Sequence, residues 1–160
     1  MNILFANESH IPGMIELLKQ VGEVHHRIRP DIFCAGCQKY DESALLELLK
    51  DPLKPIFIAE KDGALLGYCF CVKKEIPGNR SLVARKELYI DDLCVDEKCR
   101  RMGVAGKLFR HVCTYAREQG FDVVNLNVWC GNESAMRFYE QMGMRQRNIM
   151  MEIPLEELPC

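Results

Sequence analysis

Between Lys86 and Val95 the apolar pattern changes phase, and this constrains the fold more than any other feature of the chain. Leu88 and Ile90 alternate as strand residues do, and so do Leu93 and Val95. The two pairs are out of step by one residue, with Asp91-Asp92 between them. A strand has a side-chain period of two, so a slip of one would send every later side chain to the opposite face. A strand that keeps one face buried absorbs such a slip with a β-bulge, and bulges often stand beside active sites, where they re-aim side chains. The alternative is a strand that ends near Ile90. With no bulge, only one of the two aspartates would face a given side.

The rest of the chain alternates between the strand period and the helix period, which predicts a single α/β domain over residues 1–160. Strands are predicted at Asn2 to Ala6, Ile56 to Glu60 and Leu65 to Lys74, the last two joined as a hairpin by Lys61-Asp62-Gly63. Further strands are predicted at Lys86 to Val95, Val123 to Trp129 and Arg145 to Ile153. A first helix is predicted after a cap at Asn7 or Ser9, with Pro12 in its first turn and a stripe of Ile11, Met14, Ile15, Leu18 and Val21. A second runs from Glu42 to Lys50, capped by Asp41. A third runs from Gly103 to Gln119, with Val104, Leu108, Val112 and Ala116 on one face. The last spans Ser134 to Met142. Glu23 to Lys39 reads as irregular, and Pro154 to Cys160 as a loop.

Composition narrows the class. A net charge of -2 over 160 residues does not match the strongly basic footprint of a nucleic-acid binder. No apolar run approaches the roughly 18 residues of a membrane helix, and the N-terminus has no basic flank leading into an apolar run. A cytoplasmic protein without nucleic-acid or membrane partners is the expectation. Nine cysteines, an odd number, fit reduced thiols better than a disulfide framework, and most lie within apolar patterns where thiols pack as small hydrophobes. Cys34-Ala35-Gly36-Cys37, downstream of His25 and His26, supplies two thiols where a structural zinc site wants four ligands, so no metal is expected.

The segment Arg100-Arg101-Met102-Gly103-Val104-Ala105-Gly106-Lys107 joins a strand to a helix. Its small residues let backbone approach a ligand, and unpaired N–H groups with a positive dipole end suit a pyrophosphate. It is not a Walker A loop, because Leu108 follows the lysine, and it lacks the Gly-x-Gly-x-x-Gly order of a dinucleotide site.

From Ile90 onward the chain resembles the GNAT-type N-acetyltransferase superfamily. Arg100-x-x-Gly103-x-Ala105 fits that family's Arg/Gln-x-x-Gly-x-Gly/Ala pyrophosphate loop. Asp91-Asp92-Leu93-Cys94-Val95 fits its bulged strand. The run Asn132-Glu133-Ser134-Ala135-Met136-Arg137-Phe138-Tyr139, closing on Gly143-Met144, fits its Asn-x-x-Ala-x-x-Phe-Tyr-x-x-x-Gly-Phe, with methionine for the last aromatic.

The resemblance implies a mixed sheet of six to seven strands flanked by about four helices, with two parallel strands splayed to admit the pantetheine arm of acetyl-CoA. Backbone groups of Leu93 and Val95 would pair with that arm, and Arg100, Arg101, Met102, Gly103, Val104, Ala105, Gly106 and Lys107 would hold the pyrophosphate. Asn132 and Ser134 would help orient the co-substrate. An N–H of Leu93 or Cys94 would face the oxyanion, and Tyr139 would stand near the thioester sulfur as proton donor. Asp91, favoured by family position, or Asp92 would take the amine's proton, directly or through water.

The implied reaction is direct acetyl transfer to a primary amine, either a small cation or a protein amine. The residues His25 to Phe33 would wall the acceptor pocket, with Arg27 or Arg29 available to an acidic group. A homodimer is compatible with the resemblance. A non-catalytic acyl-CoA-binding module is the alternative, and the acidic pair with Tyr139 argues against it.

Overall fold

In the computed structural model, which describes residues 1–155, one sheet carries five strands in the order β1-β2-β3-β4-β5. They are β1 (Asn2–Phe5), β2 (Ile56–Lys61), β3 (Ala64–Ile76), β4 (Arg85–Val95) and β5 (Val123–Leu126). The first four pair antiparallel and β5 runs parallel to β4, so the sheet is mixed, as expected. Helix α1 (Ile11–Ile28) and helix α2 (Glu42–Lys50) precede β2. Helix α3 (Val104–Glu118) forms the crossover between β4 and β5, and α4 (Glu133–Gln141) follows β5.

Local chemistry accounts for the boundaries. Asn7 caps a short 3-10 turn through Oδ1, which accepts from Ser9 N at 3.0 Å, while His10 Nδ1 accepts from Asn7 N at 2.9 Å; α1 then begins with Pro12 in its first turn. Asp41 caps α2 through Ala44 N at 2.8 Å, as the sequence predicts. The β2–β3 hairpin turns on Asp62 and Gly63, both at positive φ, the combination whose twist matches that of the flanking strands.

Two apolar layers enclose the sheet. On one face, Met14, Leu17 and Leu18 of α1 and Leu45 of α2 pack against Ile58, Tyr68 and Phe70. On the other, the predicted stripe Val104, Leu108, Val112 and Ala116 of α3 is buried against Phe57, Cys69, Leu88 and Ile90. Cys69, Cys71 and Cys94 are buried as packing thiols, in accord with the sequence reading.

Three expectations need correction. The strand count is five among the described residues, because Arg145 to Ile153 is not a strand. Its apolar residues Ile149-Met150-Met151 are consecutive rather than alternating and stand exposed, so neither face of a strand here would gain by burial. Ion pairs of Arg147 with Glu87 (3.1 Å) and of Glu152 with Arg29 (2.6 Å) hold the segment instead. Next, β5 stops at Leu126 rather than Trp129, because its partner strand departs after Ile90. Finally, Glu23 to Ile28 is helical, not irregular. His25, His26 and Arg27 form the last turn of α1, where cations are favoured by the helix dipole. Of the predicted C-terminal loop, residues 156–160 lie outside the described residues.

Candidate functional site

The phase slip in β4 is a bulge, and Asp91 is its extra residue: Phe70 pairs with Asp92, while the next residue, Cys71, pairs with Ile90. The bulge changes which face each residue serves. Before it, Leu88 and Ile90 face the α3 layer; after it, Leu93 and Val95 do, and Cys94 faces α1, its Sγ donating to Leu17 O at 3.5 Å. Asp91 and Asp92 are therefore adjacent in sequence yet both reach toward the α1–α2 side. Asp91 Oδ2 accepts from Lys39 Nζ at 2.7 Å and from Tyr40 Oη at 3.0 Å, and Asp92 Oδ2 accepts from Tyr68 Oη at 2.9 Å.

Pairing between β4 and β5 ends at Ile90 and Leu126. Beyond that point the strands part around a cavity of about 500 Å3. Tyr89, Asp91, Asp92 and Leu93 of β4 line one side, and Asn127, Val128 and Trp129, leading out of β5, line the other. Asn132 and Tyr139 close it from α4. His25, Ile32 and Phe33 form a further wall of the cavity, together with Cys34, Cys37 and Lys39. Phe33 meets Trp129 edge-on at 5.1 Å, so the wall carries an aromatic corner. Arg29 lies 5.9 Å from the Trp129 ring but is bound to Asp31 and Glu152, and Arg27 pairs with Glu23.

Electrostatics separates the titratable groups. Burial pushes the Asp92 carboxyl up to about 6; the Tyr68 hydrogen bond and the Lys39 ammonium oppose the rise, and the neighbouring Asp91 charge adds to it. Burial also pushes the Tyr139 phenol well above its usual value, with a smaller contribution from Cys69 and from Asp92, so this hydroxyl keeps its proton at neutral pH. Its ring is fixed by Phe109 at 6.0 Å and Phe138 at 5.0 Å. Burial lowers His25, and the Lys39 charge lowers it further.

The cavity thus brings together Asp91, Asp92, Leu93, Asn132 and Tyr139 from the sequence-derived set. Asn132 caps α4, its Oδ1 accepting from Ala135 N at 3.1 Å. Cys94, Val95, Ser134 and the loop residues Arg100 to Lys107 are not among its lining residues. That loop runs from the end of β4 into α3. Arg100, Arg101, Met102 and Lys107 are exposed, Val104 is buried in the α3 layer, and Ala105 and Gly106 lie in the first turn. Arg101 and Gly103 both have positive φ, and a Cβ built on Gly103 meets nothing within 4 Å, leaving open space before the unpaired N–H groups of α3.

Sequence reading passes over Lys39, Tyr40, Tyr68, Tyr89 and Trp129. Tyr68 reaches Asp92 only through the β3–β4 register, and Lys39 reaches Asp91 across a loop closure of 52 positions. The adjacency of Lys39-Tyr40 to the α2 cap is the one local signal, since it fixes them where a helix meets the sheet.

An α/β sheet opened at a bulged strand, with an acidic pair and a protonated tyrosine around the opening and an anion-suited helix start following that strand, is the architecture of the acyltransferase class to which the sequence motifs point. The chain belongs to the acetyltransferase (GNAT) family, whose model matches residues 19–144. Among curated relatives, the mouse probable N-acetyltransferase family 8 member 5 is 26% identical over 123 residues, which is 77% of this chain and 52% of that protein. Human N-acetyltransferase 8 is 32% identical over 90 residues, 56% of this chain and 38% of that protein. The chain thus spans about half or less of the length of these relatives. Among solved structures, a mutant of the BH1408 protein from Bacillus halodurans is similar with a TM-score of 0.93 and 28% identity, over 97% of this chain and 99% of that one. An aminoglycoside acetyltransferase from an uncultured soil metagenomic sample, in complex with sisomicin, shares the fold at a TM-score of 0.70 and 19% identity, over 96% and 95% of the two chains. Among the described residues, no helix is long and apolar enough to cross a membrane.

Proposed function

We propose that this chain transfers the acetyl group of acetyl-CoA to a primary amine on a cationic acceptor, by direct attack with both substrates bound. The observation that carries the reading is the bulge: one extra residue turns two carboxylates to the same side, at the point where the sheet opens.

The residues fit the co-substrate of the family. Among the described residues the β5-side edge of β4 has no strand partner beyond Ile90, which suits an extended amide-bearing arm. Gly103, at the start of α3 with open space before it, suits a pyrophosphate, with Arg100, Arg101 and Lys107 supplying charge. Met102, Val104, Ala105 and Gly106 complete that turn, Cys94 and Val95 carry the strand toward it, and Asn132 with Ser134 opens α4 beside the cavity. When bound, acetyl-CoA supplies an acetyl group activated as a thioester.

The chain's own groups divide the remaining work. Asp91, already holding an ammonium at 2.7 Å, seats the acceptor cation. Asp92, poised near 6, accepts the proton that the amine must lose before it attacks, and the pair shares the load with or without an intervening water. Tyr139, buried and protonated, gives its proton to the departing thiolate. For the carbonyl oxygen the donor would be a backbone N–H of Leu93 or Cys94. The aromatic corner of Phe33 and Trp129 suits an acceptor with an apolar or cationic body.

The test is chromatographic detection of free CoA from acetyl-CoA across a panel of polyamines, aminoglycosides, aromatic amines and peptides with free N-termini. Release that depends on one amine class supports the reading. No amine-dependent release with any class, from protein shown to be folded, contradicts it.

A further inference from the structure

One amine already occupies the acceptor side of the cavity. Lys39 Nζ donates to Asp91 Oδ2 at 2.7 Å and lies 5.4 Å from the Tyr40 ring centre. It is the only lysine among the cavity-lining residues, and it shares that lining with Leu93 and Tyr139. Asp92 and His25 line the same cavity, and the Lys39 charge lowers both. The side chain keeps 45% exposure against 21% for Asp91, so it has room to move within the opening.

We propose that Lys39 is a site of intramolecular acetylation, the chain acting as its own acceptor when no other amine fills the cavity. This rests on the reading of the chain as an acetyl-CoA-dependent transferase. The balance of the step is simple. The Lys39 ammonium gives one proton to the aspartate pair, which releases it to solvent. The freed nitrogen lone pair forms the amide bond to the acetyl carbon, with loss of the second N–H proton to solvent as the tetrahedral adduct collapses. The carbon–sulfur bond breaks, and Tyr139 protonates the thiolate, regaining its proton from solvent. The products are Nε-acetyl-Lys39 and CoA, with no other co-reactant.

Other paired lysines provide an internal comparison. Lys19 sits 2.7 Å from Glu16, the same ion-pair length, but on the exposed surface of α1 away from the cavity. Holding a reacting amine beside a base in the cavity raises its effective concentration, and among the described residues Lys39 is the lysine that combines an ion pair with a place in the cavity lining.

The experiment incubates the full chain with acetyl-CoA and follows acetyl occupancy at each lysine by peptide mass spectrometry, with a thermal melt with and without acetyl-CoA on the same preparation. Occupancy at Lys39 is expected to grow about tenfold or more faster than at Lys19, at a rate independent of protein concentration, and to fall about tenfold or more in both Tyr139→Phe and Asp92→Asn. Lys39→Arg, which keeps the ion pair, should abolish the main modified peptide without creating another. If acetyl-CoA stabilises the protein but Lys39 is modified no faster than Lys19, or equally fast in folded Tyr139→Phe, self-acetylation is wrong and the transferase reading stands. If acetyl-CoA neither stabilises the protein nor modifies Lys39, the transferase reading fails and takes this inference with it.

Discussion

Asp92 and Tyr139 illustrate how burial assigns roles to side chains. Tyr139→Phe keeps the ring against Phe109 and Phe138 but removes the hydroxyl proposed as proton donor. Steady-state kinetics should show kcat falling about tenfold or more with little change in KM for acetyl-CoA; an unchanged kcat would remove Tyr139 from the transfer step. Asp92 should set the acidic limb of the activity profile, with kcat/KM rising as pH increases through about 6, and Asp92→Asn should abolish that limb. The same residue links to stability. Folded Asp92 holds its proton up to about 6, against 3.8 for an ordinary aspartate. Between those values the folded chain binds more protons than the unfolded one, so stability falls as pH rises through the window and remains reduced above it. Asp92→Asn should therefore melt higher than the parent at neutral pH, by on the order of 3 kcal/mol, and lose that advantage near pH 4. Melts that show no pH-dependent difference would contradict the burial argument. At this scale the sequence was legible where a residue's meaning is local. The phase slip exposes Asp91-Asp92, and the Phe138-Tyr139 pair sits in a continuous motif. Lys39 and Tyr68 were not legible, because their contacts with the acidic pair depend on strand register and loop closure.

Among the elements, the loop between α1 and α2 shapes one wall of the cavity, and one close approach fixes it. A Cβ on Gly22 would collide with the Cys37 carbonyl oxygen, so the loop seats on α1 only because residue 22 has no side chain. Gly22→Ala should displace the segment that carries Cys37 and Lys39, raising KM for the amine more than for acetyl-CoA; equal effects on both would contradict this division of the cavity. At the other end, Gly103 caps α3 at φ 77, where alanine costs roughly 1–2 kcal/mol. Gly103→Ala should weaken acetyl-CoA binding by about tenfold, measured by calorimetry. Helices α2, α3 and α4 were legible from their caps and stripes. Helix α1 outran its reading because its last turn is charged rather than apolar, a helix-dipole preference that hydrophobic periodicity does not register. The segment Arg145 to Ile153 was misread for the converse reason: apolar residues without alternation supply no buried face, and ion pairs to Glu87 and Arg29 fix it instead.

Across the whole molecule, the sheet separates two cores. The α3 core stabilises the crossover that places the helix start and β5, while the α1–α2 core supports the cavity wall carrying Phe33 and Lys39. The site lies where these halves meet the break in β4–β5 pairing, so occupancy there should couple to global stability. A thermal melt with and without saturating acetyl-CoA measures that coupling. Ligand at about a hundred times its Kd adds roughly 2.7 kcal/mol. For a chain of this size that is a rise in Tm of about 5–10 °C. Such a rise is the result expected of an acetyl-CoA-dependent transferase; an unchanged Tm at millimolar acetyl-CoA would contradict the account at its centre.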